Sequence, residues 1–493
     1  MDILVATGHL AEKTVRDSVG SKADVIVVDT DVAAFITPRR LIEALRKQEV
    51  SSKYEIIFIP GLVSSNFSSV EKELGCKIYL GTKHAYDLGY MLSFLGKVDF
   101  SSSISACELL SDVRRDIALK TIQEIEDAAV PHMNLGDLKL GGCSRMKVMA
   151  EIVDATGMDS TTLKEKIRTF TKKGADVIDL GASLNATPED VEQAIRTARE
   201  VSTVPISIDT LDDSLIKKAV DVGVDIVLSL NSSNIWTIGT DVARSGAAAV
   251  VIPDAGEGVE SLIQNIKAAK NAGITRIIAD PVLDPIGHGI TKSIVRYQKF
   301  HEEFPHIPIF FGAGNVTELI DADSIGVNAA LCGIASDVCA SILFTPEYSD
   351  KTQGSIYELK IASEMMVLSK VRNSSPKDLG IDLLVLKEKR RRIDTIIPEN
   401  AVTAREAHMW RLDPAGCIRI GIVTDANSGA GGVIVADHKK ASIVGETAHR
   451  ILDTLIEMGL VSTVGHAGYL GRELKKAELA LKYNRSYAQD DYF

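Results

Sequence analysis

Between Met146 and Pro346, six polar residues stand at the carboxyl ends of short apolar runs rich in Val and Ile: Asp154, Asp179, Asp209, Asn231, Asp280 and Asn315. An ionised Asp accepts paired N–H bonds, whereas Asn offers one acceptor and two donors. Gathered in one place, such carboxylates and carboxamides suit a flat ligand. It would have N–H donors along one edge and carbonyl or ring-nitrogen acceptors along another. Taken singly, each Asp reads equally well as a cap for the helix that follows it. The same carboxylates could ligate a metal, but only their positions on separate strands support that, and neutral Asn is a poor Mg2+ ligand beside carboxylate.

Side chains so far apart in sequence meet only if the chain returns repeatedly to one end of one sheet. Apolar runs fall at Met146–Asp154, Asp176–Gly181, Pro205–Asp209, Asp225–Leu230, Ala248–Pro253, Arg276–Asp280, Pro308–Gly312 and Ala340–Thr345. Helix-length amphipathic stretches and Gly or small-residue breaks separate them. Thr161–Lys173, Pro188–Val201, Ser214–Val222 and Ser261–Ala272 carry Lys and Glu on one face and Ala, Ile and Leu on the other. Buried parallel strands wrapped by half-apolar helices are what a closed (β/α)8 TIM barrel requires. An open doubly wound sheet competes, but eight consecutive repeats within about 200 residues favour the barrel, whose strand ends share one mouth.

The chain's 493 residues exceed what one core holds. The expected units are an N-terminal open α/β domain at 1–135, the barrel with trailing helices at 146–395, and a small C-terminal α+β domain at 396–493. Gly136–Arg145, with three glycines, reads as a linker. Strands are expected in the first unit at Asp2–Ala6, Asp24–Asp29, Ile56–Pro60 and Lys77–Leu80. Its first turn, Thr7-Gly8-His9, lacks the Gly-x-Gly-x-x-Gly spacing of a dinucleotide site. After the barrel come an amphipathic helix at Ser355–Arg372 and a basic cluster at Lys387–Arg392, read as a solvated helix end. The third unit begins near Pro398. Its strands Cys417–Thr424 and Gly432–Asp437 flank a Gly-rich turn, Asp425–Gly431, that has no Gly-Lys-Ser/Thr, and Ser442–Met458 reads as a helix. The stretch His466–Leu474 opens a further helix and suggests no chemistry.

A formal charge of −12, with 25% charged and 45% apolar residues, describes an ordinary globular chain and argues against a nucleic-acid partner. No apolar run approaches the roughly 18 residues of a membrane span. Met1–Val5 reads as a strand without the basic region of a signal peptide, so a cytoplasmic protein is expected. Six scattered cysteines without a Cys-x-x-Cys pair read as reduced thiols. Ten histidines without His-Glu-x-x-His give no support to zinc.

Val204-Pro205-Ile206-Ser207-Ile208-Asp209-Thr210, preceded by Gly174-Ala175-Asp176-Val177-Ile178-Asp179-Leu180-Gly181, resembles the third and second strands of dihydropteroate synthase and other pterin-binding barrels. Leu230-Asn231-Ser232 on the fourth strand and Asp280-Pro281 on the sixth continue the order. With its flanking units the chain resembles the archaeal dihydropteroate synthase-related proteins. The resemblance implies a reduced pterin as substrate or cosubstrate. Asp209, Asn231 and Asp280 would hold its 2-amino, N3, N1 and N8 positions, and Asp179 would stand with them.

The chain departs from dihydropteroate synthase at three loops. Val153-Asp154-Ala155-Thr156-Gly157-Met158-Asp159-Ser160 replaces Asn-x-Thr-Pro-Asp-Ser-Phe, and Ser183-Leu184-Asn185-Ala186-Thr187-Pro188 replaces Ser-Thr-Arg-Pro. After strand seven, Gly312-Ala313-Gly314-Asn315-Val316-Thr317 replaces Ser-Arg-Lys and is similar to the Gly-x-Ser-Asn-Val-Ser of pterin-dependent methyltransferases. The reading placed first is condensation of a dihydropterin 6-methylene pyrophosphate with an arylamine, in folate or tetrahydromethanopterin biosynthesis, with Mg2+ on the pyrophosphate. The alternatives are methyl transfer from an N5-methyl tetrahydropterin to a corrinoid or thiol, and pterin binding without turnover. Asn315 and Asp154 are the candidates for a proton or hydrogen bond at N5. His288, in a glycine-flanked loop at Leu283–Thr291 expected to be a mobile flap, is the candidate contact for a phosphate or second substrate. A homodimer is the assembly allowed for.

Overall fold

A computed structural model describes residues 2–48, 54–377, 379–387, 401–405, 411–424 and 432–492. Most of the basic cluster, Pro398 and the turn at 425–431 lie outside the described residues. The chain divides into two compact units, residues 1–124 with 368–382, and residues 125–367 with 383–493. Among the described residues no helix is long and apolar enough to cross a membrane.

In the first unit, strands Ile3–Thr7, Asp24–Val27, Ile56–Ile59 and Lys77–Leu80 form a parallel sheet in which the first strand lies between the second and the third. Alternation along the strands feeds two apolar layers. Leu4 and Ile57 pack to one side, and Val5 and Phe58 to the other. Both faces of such a sheet are covered, as parallel strands require.

In the second unit, strands β1 (Lys147–Ile152), β2 (Val177–Gly181), β3 (Ile206–Asp209), β4 (Ile226–Leu230), β5 (Ala248–Val251), β6 (Ile277–Ala279), β7 (Phe310–Phe311) and β8 (Ile342–Thr345) form one parallel sheet. Successive strands are neighbours, β8 pairs with β1, and a parallel bridge between Ala279 and Ile309 closes β6 onto β7. The result is the (β/α)8 barrel. Period-two alternation sorts its side chains. Met149, Val177, Leu228, Val250, Ile278, Phe310 and Phe344 share an inner apolar cluster, while Val148, Ile178, Ile208 and Val251 pack in the outer cluster with the helices. Asp159 and Thr187 cap the helices Ser160–Lys173 and Pro188–Arg199, the second through a reciprocal bond with Asp190.

The expected linker is partly structured. Met133–Leu135 and Leu138–Leu140 form a hairpin around Gly136, whose φ of 60° is the left-handed conformation that glycine adopts freely. Leu135 and Leu140 are buried in the inner cluster, so the hairpin fills the amino-terminal end of the barrel. The apolar alternation Met133, Leu135, Leu138, Leu140 carries this signal, and the glycines mask it.

The C-terminal region has an antiparallel sheet of Ile418–Val423, Val433–His438 and Ala441–Gly445, followed by helices Ala448–Glu457 and Val464–Lys482. The helix expected at Ser442–Met458 therefore starts later. Ser442-Ile443-Val444 alternates exposed and half-buried as a strand and pairs with the middle one. The stretch His466–Leu474 is a brace. His466 Nδ1 meets Asp413 Oδ2 at 2.9 Å, Tyr469 donates its hydroxyl to Asp490, and Glu473 accepts the Tyr487 hydroxyl. Burial opposes ionisation of Asp413. Hydrogen bonds from Ser462, the Ala415 amide and His466 outweigh it and hold the carboxyl well below the usual range.

Candidate functional site

On the β1–β3 side, the mouth of the barrel is a field of carboxylates. Asp209 ends β3 and is half-buried, and burial pushes its carboxyl up to about 6. Asp179 is not at a strand end. It sits mid-β2, fully buried, with Oδ1 accepting the Ser207 hydroxyl and Oδ2 without a partner. Burial and the neighbouring Asp209 and Glu151 raise it well above the ordinary carboxylate range. Asp154 follows β1 in the left-handed conformation, φ 55°, and is exposed.

Glu151 was missed by the reading of strand ends. The inward alternation Lys147, Met149, Glu151 on β1 was the available signal. Burial, then Asp209, Asp154 and Glu318, push its carboxyl up to about 7. Its Oε1 lies 2.7 Å from where a Cβ on Gly181 would stand, so glycine at the end of β2 makes room for this carboxylate.

The opposite side offers a mixed set of donors and acceptors. Asn231 follows β4, and its Oδ1 accepts the Ser233 amide at 2.9 Å and the Ser233 hydroxyl at 2.6 Å, leaving Nδ2 as the group to offer. Asp280 follows β6 and is 8% exposed. Its Oδ1 accepts the Val282 amide at 2.8 Å and the hydroxyl of the buried Tyr297 at 2.9 Å. Burial pushes the Asp280 carboxyl up to about 6, against the pull of those two bonds and of Arg296. Arg296 is itself committed, bonding the carbonyls of Pro281 and Val282 and the carboxylate of Asp284.

Asn315 opens the short helix Gly314–Thr317 after β7. Its Nδ2 donates to the Leu283 carbonyl at 3.1 Å, and its carboxamide lies 2.9 Å from where a Cβ on Gly312 would stand. Gly312 is two residues beyond the inward Phe310, so the amide covers the inner face at that point.

The stretch expected as a flap is anchored at its start. Leu283 is buried in the outer core, and the Asp284 amide donates to Ser293 Oγ at 2.8 Å. The helix Ile290–Glu303 begins before Thr291. His288 is exposed between these anchors, and among the described residues its side chain makes no hydrogen bond. Beside the mouth, a cavity of about 520 Å³ is lined by Thr156, Asp159, Ser183, Asn185, Asp190 and Gln193 among others. Among the described residues no lysine or arginine lines it.

The pterin binding enzyme family matches residues 152–323, which include the mouth residues after β1 to β7, and PterinBD-DUF4346 matches residues 412–490. Dihydropteroate synthase from Yersinia pestis is 19% identical with a TM-score of 0.37, covering 47% of this chain and 94% of that one. The Coxiella burnetii dihydropteroate synthase, solved in complex with pteroic acid, is 19% identical with a TM-score of 0.38, covering 45% and 94%. The uncharacterized protein MJ0107 of Methanocaldococcus jannaschii is 36% identical over 526 residues, 99% of this chain and 98% of that one. Aligned with that relative along its whole length and carrying a pterin-binding domain in its barrel, the chain belongs to the archaeal dihydropteroate synthase-related proteins of the pterin-binding superfamily.

Proposed function

We propose that the mouth binds a reduced pterin and that the chain transfers the methyl group of its N5 to a corrinoid or thiolate acceptor. Asp280 and Asp209 accept hydrogen bonds from the 2-amino group and N3–H, and Asn231 donates to a ring nitrogen. Asp179, lying deeper, sets the charge beneath Asp209. This division matches the atoms left free: Asp280 Oδ2, because Oδ1 is taken, and Asn231 Nδ2, because its oxygen is taken.

One observation carries the choice of reaction. Asn315 spends Nδ2 on the Leu283 carbonyl, which leaves Oδ1 to face a ligand. In methyl transfer the N5–CH3 bond breaks, its electron pair stays on N5, the carbon bonds to the acceptor, and N5 takes a proton. That new N–H needs an acceptor, and Oδ1 supplies it. Condensation makes the opposite demand, because a departing pyrophosphate calls for positive charge. Among the described side chains of the mouth, the carboxylates Glu151, Asp154, Asp179, Asp209 and Glu318 and the committed Arg296 do not themselves supply it, so condensation here would depend on a bound cation.

The test supplies the full chain with two substrate pairs in parallel. One is an N5-methyl tetrahydropterin with cob(I)alamin or a thiol, and the other a dihydropterin 6-methylene pyrophosphate with an arylamine. Methyl loss from the first pair supports the proposal, and arylamine-dependent pyrophosphate release from the second overturns it. Tight pterin binding with neither reaction leaves a carrier.

A further inference from the structure

Three carboxylates converge under the mouth from neighbouring strands: Glu151 on β1, Asp179 on β2 and Asp209 on β3. One oxygen from each lies within 4.8 Å of those from the other two. In this cluster the fully buried Asp179 Oδ2 has no hydrogen-bond partner. The charged groups that act most strongly on Glu151 are Asp209, Asp154 and Glu318, and those on Asp179 are Asp209 and Glu151, all of them acidic. A buried carboxylate oxygen with no hydrogen-bond partner, beside two further carboxylates, is costly unless a proton or a cation neutralises the group.

We propose that Glu151, Asp179 and Asp209 form a binding site for one hard divalent cation such as Mg2+, Mn2+ or Ca2+. Ligand oxygens on opposite sides of Mg2+ are about 4.2 Å apart, and of Ca2+ about 4.8 Å, so three oxygens within 4.8 Å of one another fit inside one coordination shell. All three ligands are oxygens, which selects these ions over zinc or copper. The ligands stand on hydrogen-bonded neighbouring strands, with Glu151 paired to Asp179 and Gly181 to Asp209 in register, so the cage is held by the sheet. Gly181 leaves the space into which the Glu151 carboxylate turns. Asp209 has two oxygens, one for the ion and one for a ligand above it. The site does not rest on the pterin reading, because the ion would bind with the mouth otherwise empty.

The full chain, stripped with a chelator and free of pterin, is titrated with Mn2+ while free Mn2+ is followed by electron paramagnetic resonance. One ion per chain is expected at pH 8. Glu151→Gln should weaken binding by at least about tenfold, and Asp179→Asn likewise, with circular dichroism confirming that each variant is folded. Absence of a site at about 1 mM Mn2+ in the wild type overturns the proposal. That result decides the matter even if neither variant folds. Folded variants that bind Mn2+ as the wild type does are equally fatal to it.

Discussion

Replacing Asp280 with Asn separates what this carboxylate does for a ligand from what it costs the fold. The Val282 amide and the Tyr297 hydroxyl both donate to Oδ1, at 2.8 and 2.9 Å. In the variant the amide oxygen must stay there, so the NH2 group turns to the mouth and meets the ring donors with a donor. Loss of a charge-assisted hydrogen bond of about 1.5–3 kcal/mol corresponds to a Kd about 10- to 150-fold higher. Stability should move the other way. The folded carboxyl titrates at about 6, and an unfolded Asp near 3.9, so ionising Asp280 in the empty site costs on the order of 3 kcal/mol. A raised folded value means that this contribution is fully present below about pH 4 and lost as pH rises through about 6. Asp280→Asn removes that loss and should melt at or above the wild type at neutral pH. Anaerobic calorimetric titration with a tetrahydropterin, paired with thermal melts at pH 5 and 7.5, measures both effects. Affinity within about twofold of wild type would refute the assignment of Asp280 to the ring, and a melting point well below wild type at pH 7.5 would refute the account of its burial.

Asn315→Ala should slow methyl loss by roughly 10²-fold with little change in pterin affinity, because its acceptor acts as N5 gains a proton; an equal loss in binding would make it a simple ring contact. Leu140→Ala, fully buried in the barrel plug, should cost about 2–5 kcal/mol in denaturant unfolding, and a cost below about 1 kcal/mol would show that the plug is dispensable. Asp413→Asn should destabilise the C-terminal helices while leaving tetrahydropterin binding unchanged, as hydrogen exchange and calorimetry would show. The folded Asp413 carboxyl is depressed, so in the wild type its contribution is present above about pH 4 and fades as pH falls through the folded value.

All eight barrel strands were legible in the sequence because each is a short apolar run between helix-length amphipathic stretches, and the sheet uses each of them. Reading strand ends also led to Asp209, Asn231, Asp280 and Asn315, which follow β3, β4, β6 and β7. It misjudged depth. Asp179 lies two residues inside its strand, and Glu151 is three residues before Asp154, so a search for terminal polar residues passes over the pair. Glycines misled twice, by making Gly136–Arg145, which holds the second strand of the hairpin, read as a linker and by making Leu283–Thr291 read as a mobile flap. In both, buried leucines outweigh the flexible residues beside them. In the C-terminal sheet the boundary failed because Ser442–Met458 holds a β-branched strand and a helix with only Gly445 and its neighbours between them.

The hairpin that fills the base of the barrel has a kinetic consequence. With Leu135 and Leu140 packed into the inner layer, the barrel interior is filled from the hairpin's end, and a ligand meets the strand ends from the mouth. On the proposed methyl transfer, an acceptor that reaches N5 would come down over a pterin seated on the strand ends. That arrangement predicts a sequence: pterin first in, demethylated pterin last out. Steady-state product inhibition should show demethylated pterin competing with methyl-pterin, and methylated acceptor noncompetitive against it, whatever the chemical identity of that acceptor.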